Sequence, residues 1–203
     1  MKSVPPAKAR YDDLASGYER TMQPLERWFL TRWRAETLAH LPADSRILEV
    51  GAGTGLNFRF YPSGAHGVAS ELSCEMLKVA ASKSKPQRVC LTQSSVELLP
   101  FKEASFDAAF ATLVFCSVES PPKAFAELRR VVKPGGRIVL LEHVRPNGLL
   151  GPVFDLLNLL TVWLLCDHCN RRTADEAERA GLRVLQVERR LQGIFNLLVL
   201  ERV

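Results

Sequence analysis

From residue 46 onward, short apolar runs alternate with helical patterns, and this alternation limits the fold more than any other feature. "RILEVGA" (46–52), "HGVASE" (66–71), "RVCLTQ" (88–93), "SFDAAFATLV" (105–114) and "RIVLLEHV" (137–144) read as strands. The fourth is almost entirely apolar, which predicts burial on both faces. "SCEMLKVAASKS" (73–84) reads as a helix, with Ser73 as its N-cap and Glu75 in its first turn. "PPKAFAELRRVVK" (121–133) starts on proline and ends at the "KPGG" turn. "TADEAERAG" (173–181) has Thr173 as N-cap and Gly181 as stop. "RVLQVERR" (183–190) and "FNLLVLERV" (195–203) close the chain as two strands with no helix between them. Seven strands alternating with helices predict an α/β fold. Its sheet is mainly parallel, with one antiparallel strand at the C-terminus.

The glycines after the first strand raise the question of function. Gly51, Gly53 and Gly55 follow "ILEV" directly. A dinucleotide fingerprint spaces its third glycine one residue later. An acidic residue, Glu71, ends the second strand, where its carboxylate can accept two hydrogen bonds from ribose hydroxyls. The run alone also fits a tight turn that binds nothing; the strand before it and the acidic strand end after it favour a nucleoside.

Bulk properties exclude several classes. The 203 residues fit one domain with a sizeable core. A net charge of +5 favours acidic partners or an anionic membrane surface and is too small to argue for nucleic acid. Five irregularly spaced cysteines make no disulfide framework, and the first 25 residues lack a signal peptide's apolar core. These features predict a reducing, cytoplasmic setting. The apolar stretch at 148–166 contains Pro152, Asp155 and Asn158, which argues against a spanning helix.

Residues 11–40 read as helical with a break at Pro24. Leu25, Trp28, Phe29 and Trp33 form an apolar stripe that predicts packing on the domain, in preference to a membrane-surface helix. Cys166, His168 and Cys169 form a short cluster without the fourth ligand a structural zinc needs, so no metal is expected.

"ILEVGAGTG", "ELSCEML", "LPFKEASFDAAFATLVFCSV" and "ELRRVVKPGGRIVLLEHV" together resemble the ordered motifs of class I S-adenosylmethionine-dependent methyltransferases, across residues 46–144. The resemblance implies a Rossmann-like, doubly wound sheet with S-adenosyl-L-methionine as cofactor. It implies that Glu49, Gly51, Gly53 and Gly55 line the cofactor loop. Glu71 and the adjacent Leu72 would hold the ribose. Ser95 and Val96 replace the family's usual Asp and its neighbour at the adenine. Thr112 and Leu113 would face the sulfonium. "YDDLASGYERTM" resembles the cofactor lid of ubiquinone and menaquinone C-methyltransferases, making Tyr11 and Tyr18 lid residues; equally, both tyrosines simply anchor the helix.

"NFRFYP", "CSV", "EHV" and the "CDHCN" stretch look like the methyltransferase-like group of alkyl thiol methyltransferases. That similarity implies a small-molecule substrate, hydrogen sulfide or an apolar thiol, with Glu142, His143 and Asp167 as candidates to assist ionisation. Alternation along the strand sends Glu142 and His143 to opposite faces. His143 alternatively bonds a neighbouring loop. Mammalian members carry an N-terminal membrane anchor that this sequence lacks, so a short, soluble relative is expected, with peripheral membrane contact as the alternative. The expected organisation is one domain over 1–203, with a helical lid at 1–40 and a substrate-covering insertion at 145–172. The rival acceptors are a phospholipid amine or a quinone-like ring. From other classes, a nicotinamide dehydrogenase is disfavoured by the glycine spacing, and a non-catalytic cofactor-binding module by the intact glycine loop.

Overall fold

The computed structural model describes residues 7–144 and 171–203. Its strands are β1 (Arg46–Val50), β2 (His66–Glu71), β3 (Val89–Gln93), β4 (Phe106–Thr112), β5 (Val132–His143), β6 (Leu182–Arg190) and β7 (Phe195–Arg202). They form one sheet in the order β3-β2-β1-β4-β5-β7-β6. Strands β1 to β5 run parallel to one another. Only β7 is reversed, pairing antiparallel with both β5 and β6. The expected sheet, with a single antiparallel strand at the C-terminus, is therefore the observed one. The chain moves outward from β1 to β3, then restarts on the other side of β1 with β4. A crevice opens where the order reverses, at the carboxyl ends of β1 and β4.

Helices cover both faces: α1 (Ala7–Leu14), α2 (Tyr18–Leu25), α3 (Thr31–Leu38), α4 (Cys74–Ala81), α5 (Pro121–Val131) and α6 (Thr173–Arg179). One core joins Ala109, Ala111 and Phe106 of β4 to Phe125 and Leu128 of α5 and Ala177 of α6. The other joins Ala108 and Phe110 of the same strand to Leu38 of α3. Strand β4 is thus buried on both sides, as its apolar run requires. Phe125 stacks on Phe115 with ring centroids 4.4 Å apart, and burying each such side chain contributes about 1.5–3 kcal/mol.

Three local expectations are corrected. Pro24 lies inside α2 without breaking it; the interruption falls at Gly17, and a π turn at Glu26–Leu30 joins α2 to α3. Arg172, not Thr173, is the N-cap of α6, and it makes no side-chain cap. The "KPGG" segment belongs to β5, where it forms an irregularity against β4 instead of ending the helix in a separate turn. By contrast Ser73 caps α4 as expected, accepting the Met76 N–H at 3.1 Å.

The apolar stripe of the N-terminal helices is also corrected. Leu25, Trp28 and Phe29 are exposed. The buried side is Leu30, Arg34, Thr37 and Leu38, with Glu26 nearly covered beside them. Trp33, the fourth stripe residue, is half-buried against Phe195 of β7, with ring centroids 5.2 Å apart. The inward face pairs Arg34 and Glu26 alongside Leu30 and Leu38, so the buried side is offset from the apolar stripe.

Candidate active site

A cavity of about 340 Å³ lies in the crevice. Its floor is the loop after β1. Gly51 has φ +67°, and a Cβ there would meet Val114 at 2.3 Å, so the neighbouring loop demands glycine. Gly53 has φ +54°, and a Cβ there would meet no protein atom within 4 Å. Its open side is the cavity, which both glycines line.

The second wall comes from β2. Glu71 accepts the Gly53 N–H at 2.9 Å on one carboxyl oxygen and the Ser73 N–H at 2.9 Å on the other. Burial pushes its carboxyl above the ordinary value, while the Ser73 and Gly53 amides pull the other way. A carboxylate offers about four lone-pair positions, so two amides leave capacity for hydroxyls. Leu72 stands beside Glu71 on the wall.

The segment after β3 supplies Ser94, Ser95 and Val96. Ser95 Oγ accepts the Glu97 N–H at 3.2 Å. The buried Ser94 Oγ has no partner, so it too is available to a ligand. Sequence reasoning missed Ser94, because nothing distinguishes it from Ser95 until the turn is built.

The third wall is the end of β4. Thr112 and Leu113 line it, and Leu113 is a non-glycine residue at φ +60°. Strain of this kind collects at functional sites and is held by its surroundings. The Leu113 N–H bonds the Leu141 carbonyl at 2.7 Å, and Glu142 accepts the next two amides, Val114 at 3.2 Å and Phe115 at 3.1 Å.

Beneath this wall runs a buried polar network. Arg34 pairs with Glu26 at 2.8 Å, donates to Asn57 Oδ1 at 3.0 Å and bonds Thr112 Oγ1. Asn57 donates to Glu49 at 2.5 Å, and Tyr61 bonds the other Glu49 oxygen. Burial pushes the Glu49 carboxyl up to about 7, opposed by the Asn57 and Tyr61 bonds. Arg34, Asn57 and Tyr61 were not expected. A signal existed in Asn57, a lone amide between Leu56 and Phe58, but two of its partners, Arg34 and Thr112, are 23 and 55 residues away.

Helices α1 and α2 form the roof. Tyr11 and Tyr18 both line the cavity. The Tyr11 hydroxyl shares a hydrogen bond of 2.5 Å with Ser117 Oγ. Burial pushes the Tyr18 phenol up to about 12, so it stays neutral.

Four expected residues are placed elsewhere. Glu49 is fully buried behind the loop, and Gly55 packs over the Phe58 ring. Glu142 is fully buried against the β4 loop. The His143 ring lies 5.2 Å from that of Phe195 and does not line the cavity. Glu142 and His143 do point to opposite faces, but neither reaches the cavity wall. Asp167 lies outside the described residues, as do Cys166, His168, Cys169 and nearly all of the 145–172 insertion. Among the described residues no acidic, histidine or cysteine group is placed to hold a metal. No helix among them is long and apolar enough to cross a membrane.

A Rossmann-like sheet, a glycine loop at its switch point and an acidic residue ending β2 define a nucleoside-binding α/β domain of the methyltransferase class. The chain matches, over residues 48–140, the family model described as a methyltransferase domain. It is 39% identical over 142 residues to demethylmenaquinone methyltransferase of Clavibacter sepedonicus, covering 68% of this chain and 58% of that protein. It is 32% identical over 151 residues to thiol S-methyltransferase TMT1B of Homo sapiens, covering 70% and 62%. The chain thus spans about three fifths of these relatives' length. Among solved structures, a SAM-dependent methyltransferase of Thermotoga maritima, described as a possible histamine N-methyltransferase, superposes with a TM-score of 0.75 at 20% identity, covering 97% of this chain and 100% of that one. One from Mesorhizobium loti gives 0.66 at 21% identity, covering 82% and 96%. These two show the shared fold.

The residues present fit S-adenosylmethionine, the cofactor this family implies. Gly53 leaves open space where a side chain would stand, Glu71 keeps acceptor capacity, and Ser94 Oγ is unpaired.

Proposed function

We propose that this chain transfers a methyl group from S-adenosylmethionine to a small apolar thiol or hydrogen sulfide. The observation that carries the reading is Glu71, anchored by Gly53 and Ser73 on the wall of a cavity floored by glycines. In this reading Glu71 holds the ribose, Ser94 and Val96 meet the adenine, and Gly51 and Gly53 admit the methionine end. The bound cofactor supplies an electrophilic methyl on a sulfonium. Tyr11 and Tyr18 present electron-rich rings to that cation and exclude water from it. Helices α1 and α2 serve as the lid over this site.

The titratable groups lining the cavity, among the described residues, are Lys8, Tyr11, Tyr18, Glu71, Glu97 and Glu119. A thiol ionises in part near neutral pH and loses its proton to water without a dedicated base. A carbon acceptor usually needs one. Similarity to thiol S-methyltransferases supports the same acceptor. The second reading, a quinol-type ring, is favoured by the 39% identity to a demethylmenaquinone methyltransferase.

Release of S-adenosylhomocysteine is measured with hydrogen sulfide, alkyl thiols, quinols and phospholipids in turn. Turnover with thiols is the expected outcome. Turnover with quinols alone replaces the first reading by the second, and calorimetric binding of NAD without S-adenosylhomocysteine removes both.

A further inference from the structure

Several contacts tie the roof helices to the body of the domain. Tyr11 bonds Ser117, and Glu19 pairs with Lys83. Asp12 is placed differently, because it meets the body at the residue that anchors Glu71. Ser73 Oγ donates to Asp12 Oδ1 at 2.6 Å, and the Glu75 N–H reaches the same oxygen at 3.3 Å. Ser73 Oγ also accepts the Met76 N–H. A hydroxyl has one proton to give, and here it goes to Asp12. The Ser73 N–H donates to Glu71 Oε1, and the Gly53 N–H to Glu71 Oε2. Asp12, Ser73, Glu71 and Gly53 thus make one continuous hydrogen-bonded row, from the helix above the cavity to the loop beneath it.

The adjacent residue, Tyr11, faces the opposite wall. Helix α1 is therefore held at neighbouring positions by α4 on one side and by the turn after β4 on the other. The Ser73 hydroxyl, followed by Lys8, holds the Asp12 carboxyl down at about 2, so it is an anion throughout the neutral range.

We propose that Asp12 is a positioning residue: by engaging Ser73 it holds α1 over the bound nucleoside and fixes Glu71 for the ribose hydroxyls. This rests on the reading of Glu71 as the ribose acceptor. Asp12 does not touch the nucleoside. It sets how long the closed state lasts, because the Asp12–Ser73 bond must break before α1 can lift.

The test is the kinetics of S-adenosylhomocysteine binding to the full chain. Asp12→Ala is expected to raise the dissociation rate about tenfold, the worth of one charge-assisted bond, with association changed less than about twofold. Asp12→Asn keeps an acceptor oxygen for Ser73 and is expected to restore at least half of that loss on a logarithmic scale. In a Ser73→Ala background, Asp12→Ala is expected to add less than about twofold, because the two residues act as one unit. An unchanged dissociation rate in Asp12→Ala overturns the proposal. So does Asp12→Asn behaving like Asp12→Ala, or an undiminished Asp12→Ala effect without Ser73. Wild-type protein that fails to bind S-adenosylhomocysteine overturns the proposed function as well, which separates the two failures.

Discussion

Glu71 and Glu142 perform the same local task on opposite sides of the crevice. Each sits at or near the carboxyl end of a parallel strand, and each takes a backbone N–H on both carboxyl oxygens. Glu71 ties down Gly53 and Ser73; Glu142 ties down Val114 and Phe115. Yet Glu71 lines the cavity, while Glu142 is fully enclosed. A strand-end carboxyl is first a device for holding loops whose amides have no ladder partner. It becomes part of a site only where open space faces its remaining lone pairs.

The largest effect that tests this contrast is on stability. Glu142→Ala leaves two amides without their acceptor in a closed interior and is expected to cost roughly 3 kcal/mol or more in denaturant unfolding. In the fraction that stays folded, S-adenosylhomocysteine affinity is expected to fall less than in a Glu71 variant. Equal losses of affinity would erase the distinction between the two carboxyls.

Glu71→Ala is expected to weaken S-adenosylhomocysteine by about ten- to a hundredfold in calorimetry, since a charged acceptor for ribose hydroxyls is worth about 1.5–3 kcal/mol. An unchanged affinity removes Glu71 from the site and leaves it, like Glu142, a purely internal brace.

Glu49 gives the most specific effect, because it is read only as a dependence on pH. It is a third buried carboxyl, but its partners are the side chains of Asn57 and Tyr61. Burial raises it from an ordinary value of 4.5 to about 7 in the folded state. Between those values the native state keeps a proton that the unfolded chain has released, so stability falls as pH rises. The contribution is complete below about 4.5 and lost as pH passes about 7. Thermal melts across that window should show wild type losing stability relative to Glu49→Gln. Parallel curves would mean that Glu49 titrates normally.

Much of the fold was legible because it rests on local patterns. Strand β4 reads as central from its unbroken apolar run, and β7 as reversed from the absence of a crossover before it. Gly51 and Glu71 were legible from spacing and position. The N-terminal helices were not, because a helix face is normally chosen by hydrophobicity, and here Arg34 and Glu26 occupy the inward side. Their pairing satisfies charges that pattern reading assigns to solvent. Glu142 and His143 were rightly sent to opposite faces by strand alternation, but alternation carries no information on which loop covers each face.

The sequence by itself determined the order of strands and helices, the single reversed strand, and the glycine–acid pair at the crevice. Each depends on residues close together along the chain. Only the tertiary structure decided which polar groups remain free to serve a ligand. Glu49, Glu71 and Glu142 are alike as residues, and what separates them is the atoms that distant segments bring to their oxygens.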